Sequence, residues 1–244
     1  MSLDILRGNL SFCPICEIAT SYTIHGPWLR DQFVCDECGS IPRQRAIQLV
    51  LARLTGFDDS LEIHESRPSN NFIEKKFPKY SSSQYFEGKR SGEVVSGTRC
   101  ENLEKLSFRS NSFDVFVTQD VFEHVFSPDR AAKEIARVLR PGGFHIFTAP
   151  KHLKLVETRT RAISTRRGIK HLLPAEYHGN PVGDGRSLVT WDYGQDFEQL
   201  YSRWSSCNLT TFIHSDFDQG LAGEYLEVFV AHKPRKYSLD GRQS

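Results

Sequence analysis

The sequence predicts an α/β protein: a mostly parallel sheet flanked by helices, preceded by a small cysteine-stapled lobe. Three observations carry this. The stretch 112–150 reads as strand, helix, strand; two C-x2-C knuckles stand near the amino end; and 39% hydrophobic composition with 17 Phe supplies a real core.

In the central stretch, the apolar run Val115-Phe116-Val117 ends in polar Thr118-Gln119-Asp120, the pattern of a buried strand opening onto a site. Ser127 before Pro128 gives an N-cap followed by proline at the first helical position. Ala132, Ile135 and Leu139 then line one helix face, Pro141-Gly142-Gly143 ends the helix, and Phe144 to Thr148 forms another strand. The polar residues lie at the carboxyl end of the first strand, where open α/β sheets bind ligands.

Ser112-Phe113-Asp114, Glu123-His124-Val125 and Leu139-Arg140-Pro141-Gly142-Gly143 together resemble the second half of class I S-adenosylmethionine-dependent methyltransferases of the type 11-like group. The resemblance covers roughly residues 35 to 232. It implies a Rossmann-like, seven-stranded, mostly parallel sheet with flanking helices, and S-adenosyl-L-methionine as cofactor.

Cys13-Pro14-Ile15-Cys16 and Cys35-Asp36-Glu37-Cys38 are separated by 18 residues, the spacing of a zinc ribbon in which four thiolates surround Zn²⁺. Four protein ligands leave no open position, so the metal is expected to be structural; redox dithiols or inert core cysteines are the alternative. A lobe of about 30 residues has little core of its own, so the ion is expected to supply its folding energy. Cys100 and Cys207 fall outside the pattern and read as semi-buried thiols. The expected boundaries are a ribbon at 1–41, a methyltransferase domain at 42–233 with a lid insertion at 150–194, and a flexible tail at 234–244.

The spacing predicts a helix from Pro42 to Thr55, closed by Gly56, with Ile47, Val50, Leu51 and Leu54 on one face, bridging ribbon and main domain. The cluster from Cys38 to Arg45 resembles the ribbon–helix junction of methyltransferases that carry such a knuckle, with Arg43 and Arg45 expected in a solvated first turn. Leu61-Glu62-Ile63 is expected to be the first strand of the sheet, with a loop at His64-Glu65-Ser66-Arg67-Pro68-Ser69. The family has a glycine-rich loop there; this chain has no glycine, which implies a different loop path with side chains replacing backbone contacts, or a loop that no longer binds cofactor.

A short helix from Ser69 to Phe77, with Phe72, Ile73 and Phe77 inward, and a strand from Ser82 to Phe86 follow. The resemblance places Glu62 as the strand-end acid and puts His64, Glu65 and Ser66 in the cofactor loop, Ser66 against the methionine carboxylate. It places Gln84 at the ribose hydroxyls with Glu87 as fallback, and Asn102 at the adenine edge with Leu103 on the ring face. Asn102 also suits a plain turn. Gln119 and Asp120 fall beside the cofactor sulfur.

After Pro150 the chain leaves the sheet for about 45 residues, until a final helix starting at Gln195. Lys151 to Lys170 holds seven Lys/Arg against one acid, Glu157, which reads as a solvated basic helix or as a cationic lid over an anionic substrate. His178, followed by Gly179-Asn180-Pro181, can project from a loop into a cleft. Asn208 to His214 and Tyr225 to Ala231 are expected as closing strands.

Net charge of +1 gives no global field toward nucleic acid or membrane. No apolar run approaches ~18 residues and the amino end lacks a leader pattern, so a soluble, cytoplasmic protein is expected. The function implied is methyl transfer to an O or N atom of a small, sugar- or nucleotide-like, anionic acceptor. Candidate bases are His178, favoured, then Asp120 and His124. An RNA methyltransferase is the second reading, opposed by the near-neutral charge; a non-catalytic binding module with a degenerate cofactor loop is the third.

Overall fold

The computed structural model of the chain describes residues 11–179 and 185–235; the tail from 236 onward and the Asn180-Pro181 turn lie outside the described residues. The chain divides into two compact units, Met1–Phe57 with Phe212–Val228, and Asp58–Thr211 with Phe229–Ser244. The cut thus falls after Phe57 rather than at residue 41, and a late segment joins the cysteine lobe.

The cysteine-bearing unit contains two short antiparallel ribbons, Ser11–Cys13 with Ile18–Thr20 and Tyr22–Ile24 with Phe33–Cys35. Its helix Pro42–Thr55 starts on proline and ends where Gly56 turns left-handed at φ 56°, as the sequence predicts. Arg45 corrects an expectation. Placed by sequence in a solvated first turn, it is fully buried, donating to the carbonyls of Ser40, Phe33 and Gly220, the last two at 2.7 Å. Its guanidinium also lies 4.6 Å over the Tyr22 ring. A lobe with few apolar side chains uses one planar, five-donor group to gather carbonyls from three segments. Gly220 is needed there, because an added Cβ would meet Tyr22 at 2.6 Å.

The larger unit is built on a six-stranded sheet: β1 Ile63–Ser66, β2 Tyr80–Ser83, β3 Phe113–Gln119, β4 Leu139–Thr148, β5 Asn208–Phe212 and β6 Val228–His232. The spatial order is β5-β6-β4-β3-β1-β2. The β4–β3, β3–β1 and β1–β2 pairs are parallel, and β6 runs antiparallel to β4. This is the expected Rossmann-like sheet with one strand fewer among the described residues. Just past β2 a single parallel bridge joins Gln84 and Cys100.

Three local expectations shift. β1 begins at Ile63 and runs to Ser66, so His64, Glu65 and Ser66 are strand residues, not loop. The helix after Ser127 has its predicted proline start but stops at Val138; Leu139 is the first residue of β4, not the end of the helical stripe. Between Leu139 and Phe144 the β4–β3 register slips, absorbing Pro141-Gly142-Gly143 as an irregularity inside the strand. Gly143 fits because a Cβ there would strike the Asp114 carbonyl at 2.7 Å.

Phe116, Phe122, Phe147, Phe197, Tyr201 and Phe229 are fully buried and form the aromatic centre of the core. Cys100 and Cys207 are buried, further from solvent than the semi-buried thiols expected. The basic stretch forms the β-hairpin Ala162–Thr165 with Gly168–His171, not a helix. A second hairpin pairs Tyr177–Gly179 with Arg186–Leu188. Among the described residues no helix is long and apolar enough to cross a membrane.

Candidate active site

The parallel strands β1 and β3 end side by side, and their carboxyl ends carry polar groups in a buried setting. Gln119 Nε2 donates to Glu65 Oε1 at 2.7 Å, and the Tyr80 hydroxyl donates to Glu65 Oε2 at 2.9 Å. Ser69 donates weakly to Gln119 Oε1 at 3.4 Å. Burial pushes the Glu65 carboxyl up to about 7, against the two hydrogen bonds that favour its ionised form.

The chain leaves each strand through a left-handed corner without glycine: Arg67 at φ 59° after β1 and Asp120 at φ 49° after β3. The second corner is held to β4, with Asp120 N donating to the Thr148 carbonyl at 3.1 Å and Thr148 Oγ1 donating to Asp120 Oδ1 at 2.8 Å. Non-glycine residues in this region each store strain of order 1 kcal/mol and cluster at binding sites. Burial, the largest influence on His124, lowers its pKa; the Arg67 charge lowers it further, and the Asp120 charge works against both.

Other residues expected at the cofactor are placed differently. His64 points to the opposite face of β1 from Glu65, fully buried among Phe108, Phe113 and Phe116, with its ring nitrogens 2.8 and 2.9 Å from the hydroxyls of Ser81 and Ser83. Strand alternation dictates this. Glu62 precedes β1, at the end away from the site, where its N–H donates to Asp114 Oδ2. Leu103 is part of the main apolar core. Asn102 Oδ1 accepts from Glu104 N at 2.9 Å, the plain turn role. Ser66 is buried at the end of β1, and Gln84 lies one residue past β2.

The Glu123-His124-Val125 turn is clasped by residues 188–193 of the excursion after β4. Thr190 N donates to the Glu123 carbonyl at 2.7 Å, the Thr190 hydroxyl lies 2.7 Å from the Val125 carbonyl, and the Tyr193 hydroxyl donates to the Phe122 carbonyl at 2.7 Å. His124 Nδ1 is 2.8 Å from the Leu188 carbonyl, which makes it the donor and leaves Nε2 as an acceptor. Glu123, 1% exposed, brings Oε1 to 3.6 Å from His124 Nε2 and 3.8 Å from His178 Nδ1. The two imidazoles meet edge to face at 5.3 Å. The structure therefore brings His124 and His178 together beside a carboxylate that the sequence offers only as part of a motif, with the Asp120 charge acting on His124. The left-handed backbone of Arg67 has no signal in the sequence and shows only in the fold.

In the other unit the four knuckle thiols converge: Cys13 and Cys38 sulfurs are 3.8 Å apart, Cys16 and Cys35 sulfurs 3.6 Å, and all four fit within 4.8 Å. A tetrahedron with Zn–S bonds of about 2.3 Å has edges of roughly 3.8 Å, so the donor set and its spacing fit zinc.

Comparison with known proteins follows the same segment. Residues 44–147 match the family model described as a methyltransferase domain. Over 72 residues the chain is 35% identical to the glycine/sarcosine/dimethylglycine N-methyltransferase of Actinopolyspora halophila; the match covers 26% of this chain and only 13% of that protein. Among solved structures, an S-adenosylmethionine-dependent methyltransferase from Mesorhizobium loti aligns with TM-score 0.48 and 15% identity, covering 77% of this chain and 98% of that one. An amino pentose methyltransferase from Micromonospora echinaspora aligns with TM-score 0.48 and 10% identity, covering 80% and 92%. The family match runs from the helix before β1 to the penultimate residue of β4, the strands that carry the site, so this segment of the chain is similar to methyltransferase domains.

Proposed function

We propose that the protein transfers the methyl group of S-adenosylmethionine to an O or N atom of a small acceptor bearing a sugar- or nucleotide-like, anionic group. The observation that carries this reading is the pair of left-handed corners, Arg67 and Asp120, at adjacent parallel strand ends inside the segment matching the methyltransferase family. When bound, the cofactor supplies an electrophilic methyl on a sulfonium. The residues of this chain have the remaining work: Arg67 offers a guanidinium to the methionine carboxylate, a charge-assisted contact replacing the family's glycine-loop N–H groups. Glu65 and Gln119 form the polar floor between the strand ends. Asp120, His124 and His178 face the acceptor side, where holding a nucleophile in line supplies ~7–11 kcal/mol and removing its proton adds about 10²–10⁴-fold.

The exposed Arg166, Arg167 and Lys170 of the lid hairpin support an anionic acceptor. The four thiolates hold a structural zinc ion in this reading, since a closed set of four sulfur ligands leaves no position for substrate. Calorimetric titration of zinc-replete protein with S-adenosylhomocysteine tests the proposal. Micromolar binding, weakened at least tenfold in Arg67→Ala, is expected. Absent binding with an intact fold would overturn it and leave a binding module on a methyltransferase scaffold.

A further inference from the structure

We propose that Glu123, His124 and His178 form a second metal site, distinct from the cysteines, which takes a divalent transition-metal cation at the acceptor side of the active site. This deepens the methyl-transfer reading and rests on it for what the cation does, but not for whether the cation binds.

Two lone pairs face each other at this site in a way that a cation would reconcile. His124 commits Nδ1–H to the Leu188 carbonyl at 2.8 Å, so its Nε2 presents a lone pair. That lone pair faces Glu123 Oε1 at 3.6 Å, too long for a hydrogen bond and unfavourable between two acceptors. His178 Nδ1 stands 3.8 Å from the same oxygen. The three ligand atoms lie within 4.8 Å of one another. An ion about 2.1 Å from each would hold them roughly 3.4 Å apart, which brings each imidazole nearer the carboxylate oxygen by only a few tenths of an ångström. The carboxylate is 1% exposed, so the site is shielded from bulk water.

The surroundings match what metal-bound histidines require. A ligating imidazole donates its other N–H to a carbonyl or carboxylate, which fixes its tautomer and orientation. His124 has the Leu188 carbonyl; for His178 the nearest such group is Glu176, whose Oε1 stands 3.8 Å from Nε2, beyond hydrogen-bond range and within reach of a small ring rotation, and Glu176 is itself paired with Arg161 at 3.0 Å. Glu123 and His124 sit on a short turn beside the end of β3, while His178 comes from the lid, so the cation would tie lid to sheet. Two imidazoles and one carboxylate suit Mn²⁺, Fe²⁺, Co²⁺ or Zn²⁺ and leave coordination positions open. Those positions favour an acceptor presenting two adjacent oxygens, such as a vicinal diol. With the imidazoles serving as ligands, removal of the acceptor's proton falls to Asp120.

The test uses full-length protein carrying one equivalent of zinc for the cysteine lobe and freed of all other metal, titrated with Mn²⁺, followed by electron paramagnetic resonance, and with Co²⁺, followed by its visible absorption. One equivalent beyond the metal of the cysteine lobe is expected. His178→Ala, a half-buried lid residue whose loss leaves the core intact, should weaken that equivalent at least tenfold, and Glu176→Gln by about tenfold. No Mn²⁺ or Co²⁺ beyond the cysteine site, or unchanged affinity in both variants, would overturn the proposal. S-adenosylhomocysteine titration of the same samples separates the two readings. Cofactor binding without the second metal sinks only the metal site, whereas a second metal without cofactor binding sinks only the methyl-transfer reading.

Discussion

His64 and Glu65 are consecutive residues of β1, both fully withdrawn from solvent on opposite faces of the sheet, and burial moves their pKa values in opposite senses. His64 falls to about 3 and Glu65 rises to about 7, each because desolvation disfavours its charged form. A raised acid binds its proton in the folded state first, so Glu65 contributes stability that is full below about pH 4.5 and is lost as pH climbs through about 7. A depressed histidine does the reverse: its contribution is full above about 6.5 and is lost as pH falls toward about 3. Between roughly pH 4.5 and 6.5 the two slopes, each ~1.4 kcal/mol per pH unit, largely cancel.

Glu65→Gln should expose this cancellation. The variant keeps one acceptor oxygen, for Gln119, and its amide donates to a rotated Tyr80 hydroxyl, but it no longer titrates. Its stability relative to wild type should therefore rise with pH between about 4.5 and 7, by up to ~3 kcal/mol. Urea unfolding of both proteins across that range measures the difference. A difference independent of pH would show that Glu65 titrates normally.

The Arg67 corner separates backbone from side chain. Arg67→Gly relieves the left-handed conformation and should leave stability unchanged or raise it by up to about 1 kcal/mol, whereas Arg67→Val should lower it by about 1–2 kcal/mol. Both should lose cofactor affinity if the guanidinium holds the carboxylate. Thermal unfolding and S-adenosylhomocysteine calorimetry on the two variants read the two roles independently.

What is legible in the sequence follows a physical line. Val115-Phe116-Val117, the Ser127-Pro128 start and the Gly56 stop declare themselves through local periodicity and caps, and they lie where expected. His64, Glu65 and Ser66 look like loop residues in sequence; they belong to β1 only because Ser81, Ser83, Tyr80 and Gln119, distant in the chain, satisfy His64 and Glu65. The burial of Arg45 is hidden for the same reason, since its carbonyl partners belong to residues 33, 40 and 220. Leu139 misleads because one apolar residue fits either a helical stripe or a strand start. The Glu-His-Val motif is visible, but its meeting with His178 depends on the lid hairpin, which no local pattern encodes.

The buried arginine leads to a further expectation. Arg45→Met retains bulk and removes every donor, leaving the carbonyls of Ser40, Phe33 and Gly220 without that partner. At about 1–3 kcal/mol per abandoned buried acceptor, the lobe should lose ~3 kcal/mol or more. Arg45→Lys should recover only part of this, because a single ammonium cannot reproduce the planar fork. Chemical unfolding of the three proteins checks the order.

Cys13→Ser should release the metal expected in the cysteine lobe. Wild-type protein should carry zinc at that site by elemental analysis, and the variant should lose it together with the lobe's cooperative unfolding, since binding energy of such sites is folding energy. Wild-type protein with no zinc would sink the ribbon assignment.

The lid clasp gives the last prediction. Thr190 holds the Glu123 carbonyl through its own N–H, while its hydroxyl reaches the carbonyls of Glu123 and Val125 at 3.0 and 2.7 Å. Thr190→Val preserves shape and the backbone bond but withdraws the hydroxyl from a fully buried position, at a cost of about 1–3 kcal/mol. The loss should be local. Amide hydrogen exchange at residues 122–126 and 188–190 should accelerate relative to the sheet, while S-adenosylhomocysteine binding, proposed to depend on Arg67 and the ends of β1 and β3, should stay within twofold. A loss of cofactor affinity equal to that of Arg67→Ala would mean that the clasp shapes the cofactor side, and would move the boundary between cofactor and acceptor from Asp120 to the Glu123-His124 turn.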